Sequence, residues 1–125
     1  MIYRRRIQFY ETDAQGVVHH SNYFRLFEEA RGEFLRELGF PYSKLREKGY
    51  EVVLLEASCT YKKPLFYDEE VSVLLKLANL NRFIFEFHYE VKVGEELRAE
   101  GKTKHCVLQD GGVVSLPEEL KERLR

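Results

Sequence analysis

Between Phe83 and Val93 every odd position is apolar (Phe83, Phe85, Phe87, Tyr89, Val91, Val93), and Glu86, His88, Glu90 and Lys92 fall between them. A two-residue repeat puts all six apolar side chains on one side of an extended chain, and no helix produces that pattern. A strand with one apolar and one ionic face belongs to an antiparallel sheet packed on one side only. Comparable runs are readable at about residues 2–10, 50–63, 70–80 and 96–109. Turn signals stand at Tyr67-Asp68, Asn79 to Asn81, Gly94-Glu95 and Asp110-Gly111-Gly112.

Only one long stretch has a helical repeat. From about Asn22 to Leu38, Tyr23, Phe27, Ala30, Phe34 and Leu38 recur at three- and four-residue steps and line one face. Ser21 or Asn22 is placed to cap its start, Gly39 to follow its end, and Pro41 to prevent its continuation. A helical turn is expected at residues 42–48 and a final short helix from Pro117. The strand near residues 96–109 carries Ala99, Gly101 and Thr103 on one face. Small residues admit another element closely, so this strand is expected beneath the helix. Strand, long helix, then four strands predicts an α+β layer, an antiparallel sheet of five strands wrapped on one helix. One helix about 10 Å wide cannot cover such a sheet, so a homodimer or larger assembly is expected.

The chain has 125 residues and 14.9 kDa, enough for one domain spanning 1–125. With 44% hydrophobic and 14% aromatic residues it has a core to bury, which excludes intrinsic disorder. Twenty Lys and Arg against twenty-one Asp and Glu leave no global field for nucleic acid or anionic lipid. The apolar runs are far shorter than a membrane span and the N-terminus carries no signal-type segment, so a soluble cytoplasmic protein is expected. Cys59 and Cys106 lie in different strands with no second pair beside them, and neither a zinc site nor a disulfide scaffold is indicated.

The segment Arg6 to Tyr23 stands out because a loop of mixed polarity feeds directly into the N-terminus of the only long helix. Such an end presents unpaired N–H groups and a positive partial charge, suited to an oxygen that gains negative charge. Asp13, a few residues upstream, is a carboxylate able to act as base or nucleophile, and Gly16 lets backbone approach a ligand. The competing reading is that Asp13, like Asp68 and Asp110, serves its own turn. Adjacent His19 and His20 cannot both face one site and do not form a metal-binding face. Gly-rich phosphate loops and the Gly-x-Ser-x-Gly elbow are absent. Arg4-Arg5-Arg6 and the pair Lys62-Lys63 read as solvated surface; if a phosphorylated ligand binds, Lys62, Lys63 and Arg82 are its local anchors.

Residues 6–31 resemble the signature of the hotdog-fold acyl-CoA thioesterases, of the 4-hydroxybenzoyl-CoA thioesterase type and its YbgC-like branch. The matching residues are Arg6-Ile7, Thr12-Asp13, Gly16-Val17-Val18, His20, Tyr23 and Glu28-x-Ala30-Arg31. The resemblance implies a hotdog fold and hydrolysis of an acyl-CoA, or an acyl carrier protein thioester, with no separate cofactor and no metal. It assigns Asp13 as the catalytic carboxylate and His20 as the position whose backbone N–H binds the thioester oxygen. Gly16, Val18, Tyr23 and Phe27 are the expected substrate-binding residues, and Glu28 is expected either in catalysis or in a salt bridge with Arg31. It also implies homodimers with active sites at the interface, often paired into tetramers. A non-catalytic acyl-thioester-binding protein and a hotdog hydratase or dehydratase are the alternatives, the latter disfavoured because no Asn-Pro stands between Asp13 and His19.

Overall fold

The computed structural model describes residues 1–125. Strand β1 (Ile2–Arg6) leads through a single 3-10 turn (Phe9–Glu11) to the long helix α1 (Ser21–Glu37) and the short α2 (Tyr42–Glu47). Strands β2 (Tyr50–Tyr61), β3 (Glu70–Leu80), β4 (Ile84–Val93) and β5 (Glu96–Gln109) follow, then β6 (Gly112–Val114) and helix α3 (Glu118–Leu124). The antiparallel sheet has the order β1-β3-β4-β5-β2. β6 is a sixth, short strand that begins at Gly112, the last residue of the turn read from the sequence; it takes up Val107 to Gln109 of β5 just beyond Cys106, where pairing with β4 ends.

The first strand stops at Arg6, short of the expected residue 10, because the chain enters the 3-10 turn at Phe9–Glu11; Ile7 keeps the strand's inward phase at 1% exposure. Helix α1 lays Leu26, Phe27, Ala30 and Leu35, all fully buried, against Phe85, Phe87, Tyr89 and Val91 of β4. Phe27 stacks on Tyr89 with centroids 4.3 Å apart. This is possible because β5 has no side chain at Gly101, where a Cβ would stand 2.5 Å from Phe27 Cζ and 2.8 Å from the Ser58 carbonyl oxygen. The small-residue strand therefore does lie under the helix. At the other end of α1, Gly39 (φ +85°) donates to the Arg36 carbonyl and Phe40 to that of Leu35, closing the helix as its sequence indicates.

The expected surplus of apolar surface is present, though not on the back of the sheet. There β4 and β5 place Glu86 opposite Lys104 and His88 opposite Lys102, an ionic surface suited to water. Exposed apolar side chains lie instead along the free edge β2 (Leu54, Leu55 and Tyr61), beside Phe24 of α1, and in the loops at Phe9, Tyr10 and Tyr67.

Candidate active site

The residues between β1 and α1 are held in place by an ionic hub. Glu11, 3% exposed, receives both ends of the Arg5 guanidinium (2.7 and 2.5 Å) and the Gln8 N–H (2.8 Å). Arg5 also donates to Glu29 of α1 at 2.6 Å. Burial alone would raise the Glu11 pKa, yet Arg5 and the Gln8 amide together hold it below the usual carboxylate value. The Glu11 carbonyl accepts from His19 N (2.9 Å) and Asn22 Nδ2 (2.9 Å), which ties the loop's beginning to the helix start. Arg5 is thus not the solvated residue its run of three arginines suggests. An ion pair joining three elements leaves no trace in local sequence spacing.

Inside that frame the chain doubles back. Asp13 N donates to the Val17 carbonyl (2.8 Å) and Gly16 N to that of Asp13 (3.0 Å), with Gly16 at φ +83°. Val18 N then donates to Leu65 O at 2.9 Å and Val17 bridges Phe66, which fastens the turn to the segment after β2. That segment is itself clamped. Arg98 donates to Pro64 O (2.6 Å) and pairs with both oxygens of Glu69 (3.0 and 2.9 Å), while Lys62 N and Lys63 N donate to its carbonyl.

Asp13 fulfils the turn reading with one oxygen only. Its Oδ1 accepts from Gln15 N at 2.8 Å and Val17 N at 3.4 Å; Oδ2 carries no hydrogen bond. Asp13 lines a cavity of about 330 Å³ together with Val18, His20, Tyr23, Tyr61 and Lys62-Lys63-Pro64. Tyr61 meets Tyr23 edge to face at 4.8 Å and donates to the His20 carbonyl at 3.4 Å. Tyr61 was not singled out in the sequence, because alternation along β2 does not reveal which residue reaches the helix start.

Helix α1 begins without the expected side-chain cap from Ser21 or Asn22. Asn22 is spent on Glu11, and the ring of His19 accepts from Ser21 N (3.2 Å) and contacts its hydroxyl (2.8 Å). The neighbouring N–H groups of Val18, His19, Asn22 and Tyr23 all have acceptors, whereas that of His20 has none. A free amide at the positive end of a seventeen-residue helix, in one cavity with an unengaged carboxylate oxygen, is an arrangement able to hold a carbonyl oxygen while its carbon is attacked.

Not every expected site residue comes to this cavity. Gly16 shapes the turn without lining the pocket, and Phe27 lies wholly in the core between Tyr89 and Gly101. Lys62 and Lys63 stand on the rim, Lys63 paired with Glu96 at 2.8 Å. Arg82 lies near the opposite end of β5, roughly 25 Å along the sheet, stacked on Phe83. Glu28 forms no salt bridge with Arg31, which donates instead to the hydroxyls of Tyr42 and Tyr89.

A single long helix wrapped by an antiparallel sheet is the hotdog fold, and sequence similarity places the chain among thioester hydrolases. The sequence matches the thioesterase-like superfamily over residues 7–124, and the chain belongs to that family. It is similar to a structure of a hypothetical protein from Aquifex aeolicus, at 62% identity and a TM-score of 0.98, covering 100% of this chain and 99% of that one. A gentisyl-coenzyme A thioesterase structure has a TM-score of 0.94 at 29% identity, with each chain covered completely. A 1,4-dihydroxy-2-naphthoyl-CoA hydrolase of Prochlorococcus marinus (strain MIT 9303) is 28% identical over 86% of this chain and 77% of its own.

Proposed function

We propose that this thioesterase hydrolyses an acyl-CoA at the Asp13 cavity, releasing a carboxylic acid and free CoA. The observation that carries the reading is the pairing of the unengaged Asp13 Oδ2 with the unpartnered His20 N–H in one pocket. The His20 amide and the positive end of α1 hold the thioester oxygen as it becomes an oxyanion. Oδ2 either attacks the carbonyl carbon, forming a mixed anhydride as CoA thiolate leaves, or takes the proton of an attacking water; trapping the anhydride in a single turnover marks the first route. CoA thiolate leaves readily, so stabilising the tetrahedral oxygen is the main catalytic task.

Lys62 and Lys63 on the rim are the proposed contacts for the phosphates of CoA. The edge-to-face walls of Tyr23 and Tyr61, and the hydroxylated aromatic substrates named for two relatives, favour an aromatic acyl group. The signature of residues 6–31 supports the YbgC-like branch. A homodimer built along β2 is part of the proposal: the twelve-residue edge strand is free on one side, carries exposed Leu54 and Leu55, and ends at Tyr61 in the site. Thiol release from a panel of aromatic and aliphatic acyl-CoAs tests the reading. Turnover of an aryl-CoA supports it, and silence across the panel rejects it in favour of a carrier-protein substrate or a binding role.

A further inference from the structure

A second cavity, about 480 Å³, opens between α1, α2 and the first half of β2 and shares no lining residue with the Asp13 cavity. Arg31 lies in its wall at 8% exposure. The guanidinium donates through Nε to Tyr42 Oη (2.9 Å) and through Nη1 to Tyr89 Oη (3.2 Å), and no carboxylate stands within 4.0 Å of it. The guanidinium, bonded only to phenols, turns its unbonded Nη2 toward the cavity, where an anion can join it.

The hydrogen-bond directions show which donors remain. Tyr89 Oη meets Thr103 Oγ1 at 2.6 Å, and Thr103 meets His105 Nε2 at 2.8 Å. Burial, then the Arg31 charge, holds the His105 ring neutral. In the tautomer with Nδ1 protonated, His105 Nε2 accepts at the end of a chain in which Arg31 donates to Tyr89, Tyr89 to Thr103, and Thr103 to His105. The donors left over are the second Nη1 hydrogen and both Nη2 hydrogens of Arg31, and the hydroxyl proton of Tyr42, whose oxygen already accepts from Arg31.

From this geometry we infer that the α1–α2–β2 cavity is a binding site for a small organic carboxylate, gripped by Arg31 Nη2 and the Tyr42 hydroxyl. A planar guanidinium beside a hydroxyl matches the two oxygens of a carboxylate. Leu45, Val52 and Val53 line the remainder and take its apolar body. Glu28, Glu51 and Arg46 also line the cavity, so with Arg31 its lining charges balance and one monoanion already makes the occupied cavity net negative.

The test is an NMR titration of isotope-labelled protein with sodium benzoate, using benzamide as the uncharged isostere. Saturable shifts centred on Arg31, Tyr42 and His105, in the millimolar range expected of so small a ligand, support the site. Tyr42→Phe is expected to weaken benzoate about tenfold and Glu28→Gln to tighten it; Arg31→Gln is expected to abolish it. If Arg31→Gln fails to fold, the other two variants decide alone. Asp13→Asn is expected to leave these shifts unchanged, so loss of the thioesterase reading would not carry this one with it. The inference is overturned if no saturable shift develops at these residues by about 50 mM, if benzamide binds equally well, or if Tyr42→Phe and Glu28→Gln leave the affinity as it was.

Discussion

Burial of His105 makes stability depend on pH in a window where few other groups contribute. The ring is 1% exposed, stacked on Phe85 at 5.2 Å and bonded to Thr103. Burial, reinforced by Arg31, depresses its pKa from 6.5 to about 3. The unfolded chain therefore binds a proton near pH 6.5 that the folded chain refuses until about pH 3, so stability is lost as pH falls through that interval. Between pH 8 and pH 5 the loss amounts to about 2 kcal/mol, approaching ~1.4 kcal/mol per pH unit at the lower end. Glu11, held below 4.5, adds a loss of the same sign only at lower pH and leaves this window clear. Urea denaturation at fixed protein concentration and pH 8, 6.5 and 5 measures it. His105→Gln, which offers an amide oxygen to Thr103 without a titrating proton, should remove most of the slope. Equal pH dependence in the two proteins, or an NMR titration of His105 near 6.5, would refute the reasoning.

Three further outcomes follow from the packing and the site. Gly101→Ala drives a methyl to 2.5 Å from Phe27 Cζ and 2.8 Å from the Ser58 carbonyl, and should destabilise the fold by about 2–4 kcal/mol in chemical denaturation; a loss below ~1 kcal/mol would mean α1 is free to shift. Glu11→Gln breaks the charged clamp on the Asp13 turn and should lower kcat about tenfold with KM changed less than about twofold. Unchanged kcat in a destabilised variant would show that Arg98 and Leu65 hold the turn unaided. Replacing both Lys62 and Lys63 by Ala should raise KM for an acyl-CoA about tenfold while leaving an acyl-N-acetylcysteamine thioester unaffected; equal effects on both would remove the lysines from phosphate binding.

Much of the scaffold is written in local periodicity. The alternation from Phe83 to Val93 identifies a one-sided strand, and Phe85, Phe87, Tyr89 and Val91 are its buried face. The small stripe of Ala99, Gly101 and Thr103 correctly marks where α1 lies. Gly39 ends the helix by the geometry only glycine adopts readily. Period alone does not report partners far along the chain. Arg5 and Glu11 look like ordinary surface charges until β1, the 3-10 turn and α1 meet, and Arg98 binds a loop some thirty residues away. His105 sits in phase with Ala99 and Thr103, so its burial was readable in principle, but a histidine near a strand end draws no notice. The start of α1 misleads for a related reason. Ser21 and Asn22 are good capping types, yet the tertiary structure engages Asn22 with Glu11 and lets His19 take the Ser21 amide, so neither side chain caps the helix.

The most direct test is thiol release from an aryl-CoA by wild type and Asp13→Asn, followed with a disulfide dye, with binding of the unhydrolysed substrate measured in parallel. Removing the charge of Oδ2 while keeping the turn's Oδ1 acceptor should lower kcat at least a hundredfold and leave fold and substrate affinity near those of wild type. Wild-type turnover in the variant would show that Asp13 only shapes its turn and that the reaction centre lies elsewhere.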